Sequence, residues 1–385
     1  MKIVIAPDSF KGGMTAKQAA DAIELGVKRI FPDADYEKIP MADGGEGTVQ
    51  ALVDATRGQL VTKQVTGPLG NPVNATFGLL GDRQTAVIEM AAASGLETVS
   101  KEELNPLLAT TFGTGELILA ALDNHVKHII LGIGGSATVD GGAGMAQALG
   151  VRLLDASGRQ LHPGGGDLGR LAQIDISGID QRLATVSVVV ASDVTNPLTG
   201  ANGTAAVFGP QKGATPAMVS TLDANLRHFA TKIYSALGLD VDQRPGAGAA
   251  GGLGAGLMAF TGADLQPGIA IMIKYTHLRE RAEKADLVFT GEGQVDFQTQ
   301  FGKTPFGVAT ATKAVAPYAP VIVLTGNVGK GSDVLFNLGI DAIFAIEQGV
   351  SSLSDAIKNG PANLVATAEQ VARIIQQTSK YIDKV

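Results

Sequence analysis

Short apolar runs recur along the chain, and most are followed by glycine and polar residues and then by a segment with helical periodicity. Residues 2–7 (KIVIAP) predict a buried strand, and the apolar positions of residues 16–30 fit a 3.6-residue period with Thr15 as the N-cap. A second unit of this kind spans residues 36–56. Strands that alternate with helices in this way are typical of an open parallel α/β sheet.

The pattern changes from about residue 59, which suggests a domain boundary near residue 66. Residues 59–66 and 73–80 are rich in β-forming residues and are joined by GPLGN, which is a hairpin-like signal. Strand–helix alternation returns at residue 286 and continues to a C-terminal helix over residues 363–377. The chain therefore begins and ends in one kind of architecture, and another kind is inserted between.

The simplest arrangement of these elements has two domains, which a chain of 385 residues can support. We predict an α/β protein in which residues 1–65 and 285–385 form an open parallel domain, Rossmann- or flavodoxin-like. Residues 66–284 form a large inserted mixed α+β domain, with a cleft between the two. Within the insert, the small-residue segment 246–256 predicts either a hinge or a helix packed very closely on its neighbour.

Residues 126–150 combine a short apolar strand, a glycine-rich turn and the start of a helix. Glycines let the backbone approach a ligand closely, and amide groups at a helix N-terminus favour an anion. A tight turn between packed elements is the alternative, but six glycines together with Ser, Thr and Asp favour a binding role. The predicted substrate- or phosphate-binding residues of this loop are Gly134, Gly135, Ser136, Thr138 and Asp140.

The loops after the first two strands carry further candidates. Asp8, Ser9 and Lys11 directly follow the first strand, at the edge where ligands bind in open α/β sheets. A carboxylate can hold a cation and a lysine can neutralise phosphate oxygens, so Asp8 and Lys11 are candidate catalytic residues and Ser9 is a candidate phosphate ligand. The second loop supplies four more binding candidates: Asp43, Gly44, Gly45 and Glu46.

Two loops of the predicted insert carry chemistry as well. Asp193 directly follows an apolar strand, and a carboxylate in that position can accept a proton from a substrate hydroxyl. Asn196, close to it, can orient a hydroxy acid, and Lys212 in a glycine-containing loop can bind phosphate. Asp193 is therefore the predicted general base, although its side chain could instead only cap the turn.

Polar residues also follow the strand at 286–290. Glu292 and Asp296 offer hard oxygen ligands beside glycines, which suits Mg²⁺ shared with phosphate groups. Two later strands likewise end in polar, glycine-associated residues, and repeated polar strand ends are a site signal in parallel sheets. Glu292 and Asp296 are the predicted metal ligands.

Composition narrows the class of protein. The 50 glycines cluster between apolar runs, which indicates loops around ligands rather than low complexity. The net charge of −7 argues against nucleic acid as a partner, and the absence of cysteine excludes disulfides and thiol catalysis. The N-terminus lacks the apolar stretch of a signal peptide, and no uncharged run is long enough for a membrane helix, so we predict a cytoplasmic protein.

Seven motifs, taken together and in order, resemble the bacterial glycerate kinase family whose opening signature is PDSFKG. They are APDSFKGG, MADGGEGT, TTFGTGE, GIGGSATVDGGAGM, ASDVTNPLTG, FGPQKGA and TGEGQVDFQT, and they extend over essentially the whole chain. The resemblance implies ATP-dependent phosphorylation of glycerate, a requirement for Mg²⁺ and a two-domain fold with an insert. It also favours 2-phosphoglycerate over 3-phosphoglycerate as the product. The expected partners are glycerate and ATP, without nucleic acid or membrane, in a monomer or homodimer.

Two other functions remain open on the residues alone. Gly132-x-Gly134-x-x-Ala137, with Asp155 about twenty residues on, nominally fits a dinucleotide fingerprint and would suit a dehydrogenase acting on a small hydroxy acid. The fingerprint requires the helix to begin inside the motif, however, and further glycines interrupt it here. The third possibility is a sugar-acid binding protein without catalysis, which would not need so many carboxylates.

Overall fold

The computed structural model describes residues 1–382, which fold as two compact units. One unit contains Met1–Arg57 and the chain from Gly268 onward, and the other contains Gly58–Pro267. The strands are β1 (Lys2–Ile5), β2 (Asp35–Lys38), β3 (Gln59–Thr66), β4 (Pro72–Leu79), β5 (Thr85–Glu89), β6 (His128–Gly132), β7 (Arg152–Leu154), β8 (Gln173–Asp175), β9 (Ser187–Ala191), β10 (Asp264–Gln266), β11 (Leu287–Val295), β12 (Val321–Val328) and β13 (Ala342–Ala345). The α-helices are α1 (Ala16–Lys28), α2 (Thr48–Thr56), α3 (Ala91–Ser94), α4 (Phe112–Asp123), α5 (Ala143–Ala148), α6 (Thr204–Phe208), α7 (Pro216–Leu237), α8 (Ala249–Thr261), α9 (Gly268–Tyr275), α10 (Leu278–Ala282), α11 (Thr304–Val315) and α12 (Leu353–Ile382).

The first unit is built on a five-stranded sheet in the order β13-β12-β11-β1-β2, and all of its pairs are parallel. Numbered by position within this unit, the order is 2-1-3-4-5, which is the flavodoxin-like order. The order reverses between β1 and β11, and in such sheets ligands bind beyond the carboxyl ends of the strands at that point. A ligand site is therefore expected at the residues that follow β1 and at the end of β11.

Helices α1 and α12 pack on one face of this sheet. Thr15 caps α1 as predicted, because its hydroxyl accepts a hydrogen bond from the Gln18 amide while the Gln18 side chain accepts one from the Thr15 amide. Gly26 allows α12 to approach closely, since a Cβ added there would lie 2.2 Å from the carbonyl oxygen of Val365. This packing buries Ile23 in one core with residues of β1, β11 and α12.

The second unit contains a six-stranded mixed sheet in the order β10-β9-β6-β5-β4-β3. The pairs β3–β4 and β4–β5 are antiparallel, whereas β5–β6, β6–β9 and β9–β10 are parallel. β7 and β8 form a separate antiparallel pair. The predicted fold class, an open parallel α/β domain and an inserted mixed domain, is confirmed.

The two units divide at different residues from those that the hydropathy pattern indicates, which were 65/66 and 284/285. β3 pairs along its whole length with β4, from Gln59 opposite Leu79 to Thr66 opposite Pro72, so it belongs to the second unit. Helices α9 and α10 belong to the first unit, where Arg281 donates hydrogen bonds to the Glu37 side chain and to the Lys38 carbonyl. Partners distant in sequence, not local periodicity, decide both boundaries.

The small-residue segment forms the start of α8 and is packed closely on its neighbours. The backbone of Ala250, Gly251 and Gly252 has positive φ angles and bends the helix. A Cβ added at Gly251 would lie only 1.8 Å from the carbonyl oxygen of Thr138, so only glycine fits there. The expectation of a closely packed helix is confirmed, and its neighbour is the glycine-rich loop that follows β6. Among residues 1–382, no helix has both the length and the apolar character to span a membrane.

Candidate active site

Two buried carboxylates mark the point where the order of the parallel sheet reverses. Asp8 lies just beyond β1, Glu292 lies in the last part of β11, and these strands are hydrogen-bonded neighbours. The side chains are 7% and 9% exposed, respectively. Burial is the largest cause of the pKa shift of both carboxyl groups.

Burial raises the pKa of Asp8 to about 6; a hydrogen bond from Thr304 acts in the opposite direction, and the charge of Asp43 raises it further. Burial likewise raises the pKa of Glu292 to about 7. The nearby Lys303 lowers that pKa, whereas the charges of Asp8 and Asp43 raise it. Asp8 and Asp43 thus place negative charge near Glu292 that Lys303 compensates only in part, which is the arrangement expected where a cation or a charged substrate binds.

The short turn Phe297–Phe301 and the first turn of α11 complete this cluster. The Thr304 hydroxyl donates to Asp8 Oδ2 at 2.6 Å, and the Thr299 hydroxyl donates to Glu292 Oε1 at 3.3 Å. Lys303 is the N-cap residue of α11. Sequence reasoning missed Lys303 and Thr304 as site residues, although Gly302-Lys303-Thr304 directly before a helix was an available signal for a phosphate-binding turn.

A cavity of about 300 Å³ adjoins the end of β1. Its lining comes from the β1–α1 loop, the start of α1 and the segment from Glu46 to Asp54. It brings together four of the predicted residues, namely Asp8, Ser9, Lys11 and Glu46. The Ser9 amide donates to Asp8 Oδ1 at 2.6 Å, whereas the Lys11 side chain is exposed to solvent.

Asp43 shapes the loop after β2. Its Oδ1 accepts a hydrogen bond of 3.0 Å from the Gly45 amide. Gly44 and Gly47 both have positive φ angles, which explains the glycines of this loop. Asp43 therefore organises its own turn and also contributes negative charge to Asp8 and Glu292.

The two predicted metal ligands have different surroundings. Glu292 belongs to the buried cluster, whereas Asp296 caps the following turn: it accepts hydrogen bonds from the Gln298 amide at 2.8 Å and from Gln294 Nε2 at 3.0 Å. Thr299 links them, because its hydroxyl accepts from the Asp296 amide and donates to Glu292. Across the described chain, no group of three His, Asp or Glu side chains is arranged to hold a metal ion by itself.

Asp140 holds the glycine-rich loop from inside. It is fully buried, and it accepts hydrogen bonds from the Thr111 amide and hydroxyl and from the amides of Gly142 and Gly144, at 2.8 to 3.1 Å. Burial raises its pKa, and the hydrogen bonds from Thr111 act in the opposite direction. Thr138 is also fully buried. These two residues, predicted as ligand contacts, instead face the interior, because the loop needs internal acceptors and packing for its many amides.

Lys212 is buried as well, with 1% of its side chain exposed. Its Nζ donates to Ser136 Oγ at 2.6 Å and to the Thr138 carbonyl at 2.7 Å. Burial lowers the pKa of Lys212 to about 7, and the charge of Asp140 acts in the opposite direction. The prediction that Lys212 contacts phosphate directly does not fit this burial, whereas Gly134 and Gly135 of the same loop are exposed.

Asp193 and Asn196 lie in the loop after β9. The Asp193 side chain is exposed. The Asn196 side chain donates to the Asn202 carbonyl at 2.8 Å, and the backbone carbonyl of Asn196 accepts from the Gly248 amide at 3.0 Å. Asn196 therefore stabilises its own loop, which leaves Asp193 as the residue of this pair with a carboxylate at the surface.

The dinucleotide alternative is wrong. A βαβ fingerprint needs a second parallel strand after the helix, but β7 pairs antiparallel with β8, outside the main sheet. Asp155 accepts hydrogen bonds from the amides of Ser157 and Arg159 and forms ion pairs with Arg159 and Arg170. It thus stabilises a turn instead of offering its carboxylate to a ribose.

The switch point of the parallel sheet thus combines buried carboxylates, a lysine and the first turn of a helix. This combination suits a phosphotransferase, because phosphoryl transfer requires positioning and charge stabilisation. The model of the glycerate kinase family matches residues 3–376. The chain is 54% identical over 376 residues to a glycerate kinase of Bacillus subtilis (strain 168), with 98% of each chain covered. It is 51% identical over 372 residues to the glycerate 2-kinase of Escherichia coli (strain K12), with 97% of each chain covered. The crystal structure of a protein described as glycerate kinase 2 from Salmonella typhimurium LT2 is similar, with a TM-score of 0.90, 52% identity and coverage of 98% of this chain and 99% of that chain.

The chain belongs to the glycerate kinase family. The predicted activity, ATP-dependent phosphorylation of glycerate by a kinase, is confirmed at the level of this family.

Proposed function

We propose that this enzyme transfers the γ-phosphoryl group of ATP to the 2-hydroxyl of glycerate, with the phosphates bound at the end of β1 and β11. The observation that carries the proposal is the pair of buried carboxylates, Asp8 and Glu292, which lie on hydrogen-bonded neighbouring strands at the switch point of the parallel sheet. The choice of the 2-hydroxyl is supported by the relative from E. coli, which is named glycerate 2-kinase.

Two lysines of the first unit are proposed to stabilise the transferring phosphate. Lys11 lines the cavity beside Asp8 with its side chain exposed, and Lys303 precedes the first turn of α11, close enough to Glu292 to lower its pKa. Phosphoryl transfer depends mostly on positioning and on charge stabilisation, which ammonium groups and helix N-termini provide. Ser9, Gly44, Gly45 and Glu46 are proposed to contribute to the same phosphate- and substrate-binding region.

Glu292 is the proposed ligand for Mg²⁺, and we propose Asp8 as the second, ahead of Asp296. The raised pKa values of these two residues reflect burial and nearby negative charge, both of which a divalent cation would offset. Mg²⁺ is usually held by one or two carboxylates together with substrate phosphates, so a complete protein cage is not required. When bound, the ion would neutralise charge on the phosphate oxygens. Asp296 remains a candidate, although its carboxylate already caps a turn.

The general base is proposed to be Asp193. The glycerate hydroxyl must lose its proton as it attacks the γ-phosphorus, and an exposed carboxylate that follows a strand can accept that proton. Asp8 and Asp43 are less suitable, because their charges belong to the cluster to which we assign cation and phosphate binding. Asn196 is proposed to support the Asp193 loop through its hydrogen bonds.

The isomer of phosphoglycerate that is formed shows which hydroxyl of glycerate accepts the phosphoryl group. Purified protein is incubated with ATP, Mg²⁺ and each enantiomer of glycerate in turn, and the phosphoglycerate formed is identified by ³¹P and ¹³C NMR. We expect 2-phosphoglycerate from one enantiomer. Formation of 3-phosphoglycerate would contradict the proposed position of transfer, and the absence of any phosphoglycerate would contradict the assignment of the substrate.

A further inference from the structure

Lys212 is among the largest fully buried side chains of the described residues, and within that part of the chain no carboxylate forms an ion pair with it. Burial of a lysine without such a partner opposes its charged form. The two hydrogen bonds that Lys212 donates offset part of this cost.

Both acceptors belong to the glycine-rich loop after β6. Lys212 ends the turn Pro210–Lys212 and donates to Ser136 Oγ and to the Thr138 carbonyl. The lysine and Ser136 are 76 residues apart in sequence, so the contact is a specific tertiary tie. These two acceptors fix the direction of the Lys212 amino group toward the loop.

The same loop is fixed at other points. Asp140 holds its later part through Thr111, and the first part is bound at the Gly135 carbonyl and the Ala137 amide, which pair with Leu96 and Ser94. By contrast, the amides of Gly134 and Gly135 donate to no acceptor within residues 1–382, and both glycines are exposed.

One further polar group of the loop lacks a partner. The hydroxyl of Thr138 is fully buried and has no hydrogen-bond partner in the described chain. Burying an unpaired polar group lowers stability. The bonds from Lys212 and to Asp140 nevertheless hold the loop from inside, while its amides at Gly134 and Gly135 remain available outside.

We propose that Lys212 is a positioning residue of the kinase reaction, which holds Ser136 and Thr138 so that the amides of Gly134 and Gly135 bind an anionic group of a substrate. The inference rests on the proposed function. Adjacent backbone N–H groups form concave sites for anions, and such sites work only when the loop is held in one conformation. The anion is a carboxylate or a phosphate, because glycerate and ATP both supply one.

The test compares Lys212→Met and Ser136→Ala with the wild type. Steady-state kinetics are measured with glycerate and with ATP as the varied substrate, and calorimetry measures binding of each substrate without turnover. Lys232→Met is the matched control, because Lys232 also donates to a backbone carbonyl of the second unit, that of Ala172, but is only half-buried. We expect Lys212→Met to raise KM and Kd for one substrate by about tenfold or more, Ser136→Ala to act in the same direction, and Lys232→Met to resemble the wild type.

The two substrates distinguish the source of the anion. A change confined to glycerate assigns its carboxylate to the loop, and a change confined to ATP assigns the phosphates. The double variant should show less than the sum of the two single effects, because both substitutions remove the same contact. Failure of the wild type to phosphorylate glycerate would overturn the proposed function, whereas calorimetry would still report on the loop.

Unchanged KM and Kd values in Lys212→Met, with only a lower melting temperature, would overturn the proposal and leave Lys212 a purely structural residue. If Lys212→Met does not fold, as judged by near-UV circular dichroism, the proposal is tested by substrate binding to Ser136→Ala and Lys212→Gln instead. Wild-type binding of both substrates by these two variants would then overturn it.

Discussion

Thr304 donates its hydroxyl to Asp8 Oδ2 across 2.6 Å and thereby joins the first turn of α11 to the end of β1. The bond crosses 296 residues of sequence, and both side chains are buried. It places a carboxylate, a helix N-terminus and Lys303 at the switch point of the parallel sheet. Phosphate groups bind favourably at such a point.

The first prediction concerns this bond. Thr304→Val keeps the shape of the side chain but removes the donor, so Asp8 loses one of the hydrogen bonds that favour its charged form. We expect kcat to fall by about tenfold or more, in line with the loss of a group that orients charge in the site. Steady-state kinetics with saturating ATP and glycerate measures the effect.

Two controls accompany Thr304→Val. Thr304→Ser retains the hydroxyl and should keep most of the activity. Thr310→Val removes a hydroxyl from the exposed side of the same helix, where it donates only to the Phe306 carbonyl, and should leave kcat unchanged. Equal kcat values for Thr304→Val and the wild type would show that the bond serves folding alone.

The second prediction concerns the two lysines. Lys11→Ala and Lys303→Ala should each lower kcat by about 10²-fold, the effect expected for one group that stabilises charge in the transition state. Lys28→Ala, at the far end of α1 in an exposed pair with Glu24, should have no effect. Near-normal turnover of Lys11→Ala would indicate that its ammonium is only solvated, and the same outcome for Lys303→Ala would remove it from the site.

The loops of the site show what could be predicted from the sequence. Residues that follow short apolar strands, such as Asp8 and Asp43, could be proposed because strand ends of a parallel sheet share one edge. β11 was expected to end at residue 290 but continues to Val295, since its partner β12 pairs with it through polar positions such as Glu292 opposite Thr325. The apolar run in the sequence is shorter than the strand, because backbone hydrogen bonds to β12 determine the length of β11.

The burial of Asp140 and Lys212 could not be predicted in the same way. Charged residues among glycines are usually exposed, and the partners that bury them are distant in sequence: Thr111 is 29 residues from Asp140, and Ser136 is 76 residues from Lys212. The residue types of the loop therefore predicted a functional role, but they did not predict which side chains face the interior.

The third prediction concerns the metal ion. Glu292→Gln should raise the Mg²⁺ concentration needed for half-maximal rate, because an amide is a weaker ligand than a carboxylate. We expect a smaller rise for Asp296→Asn, whose carboxylate already accepts two hydrogen bonds. The Mg²⁺ dependence of the initial rate is measured at saturating substrates. If neither variant differs from the wild type, both residues are excluded as metal ligands.

The fourth prediction concerns the base. Asp193→Asn preserves size and hydrogen-bonding ability but removes basicity, so kcat should fall by about 10²-fold or more while KM for glycerate changes little. Asp43→Asn serves as the comparison. If Asp193→Asn retains most of its kcat and Asp43→Asn loses it, the proton is accepted in the first unit and the proposed role of Asp193 is wrong.

The fifth prediction concerns stability and Lys212. Its pKa is about 7 in the folded protein, against an ordinary value of 10.5, so between these values the unfolded chain binds more protons than the folded one. The contribution of Lys212 to stability should therefore rise with pH across this window and be lowest below pH 7, where the buried amine is charged. The largest slope for one proton is about 1.4 kcal/mol per pH unit.

Lys212→Met removes the titrating group, so the difference in free energy of unfolding between the wild type and this variant should shift in favour of the wild type from pH 7 to 9.5. Urea denaturation at several pH values measures it, and Asp140, the charged group that acts on Lys212, is common to both proteins. The unpaired Ser136 hydroxyl and Thr138 carbonyl destabilise the variant by an amount that does not depend on pH over this range, because neither group titrates there. Only the slope therefore reports on the amine. A difference that stays constant over this window would show that Lys212 does not change protonation there.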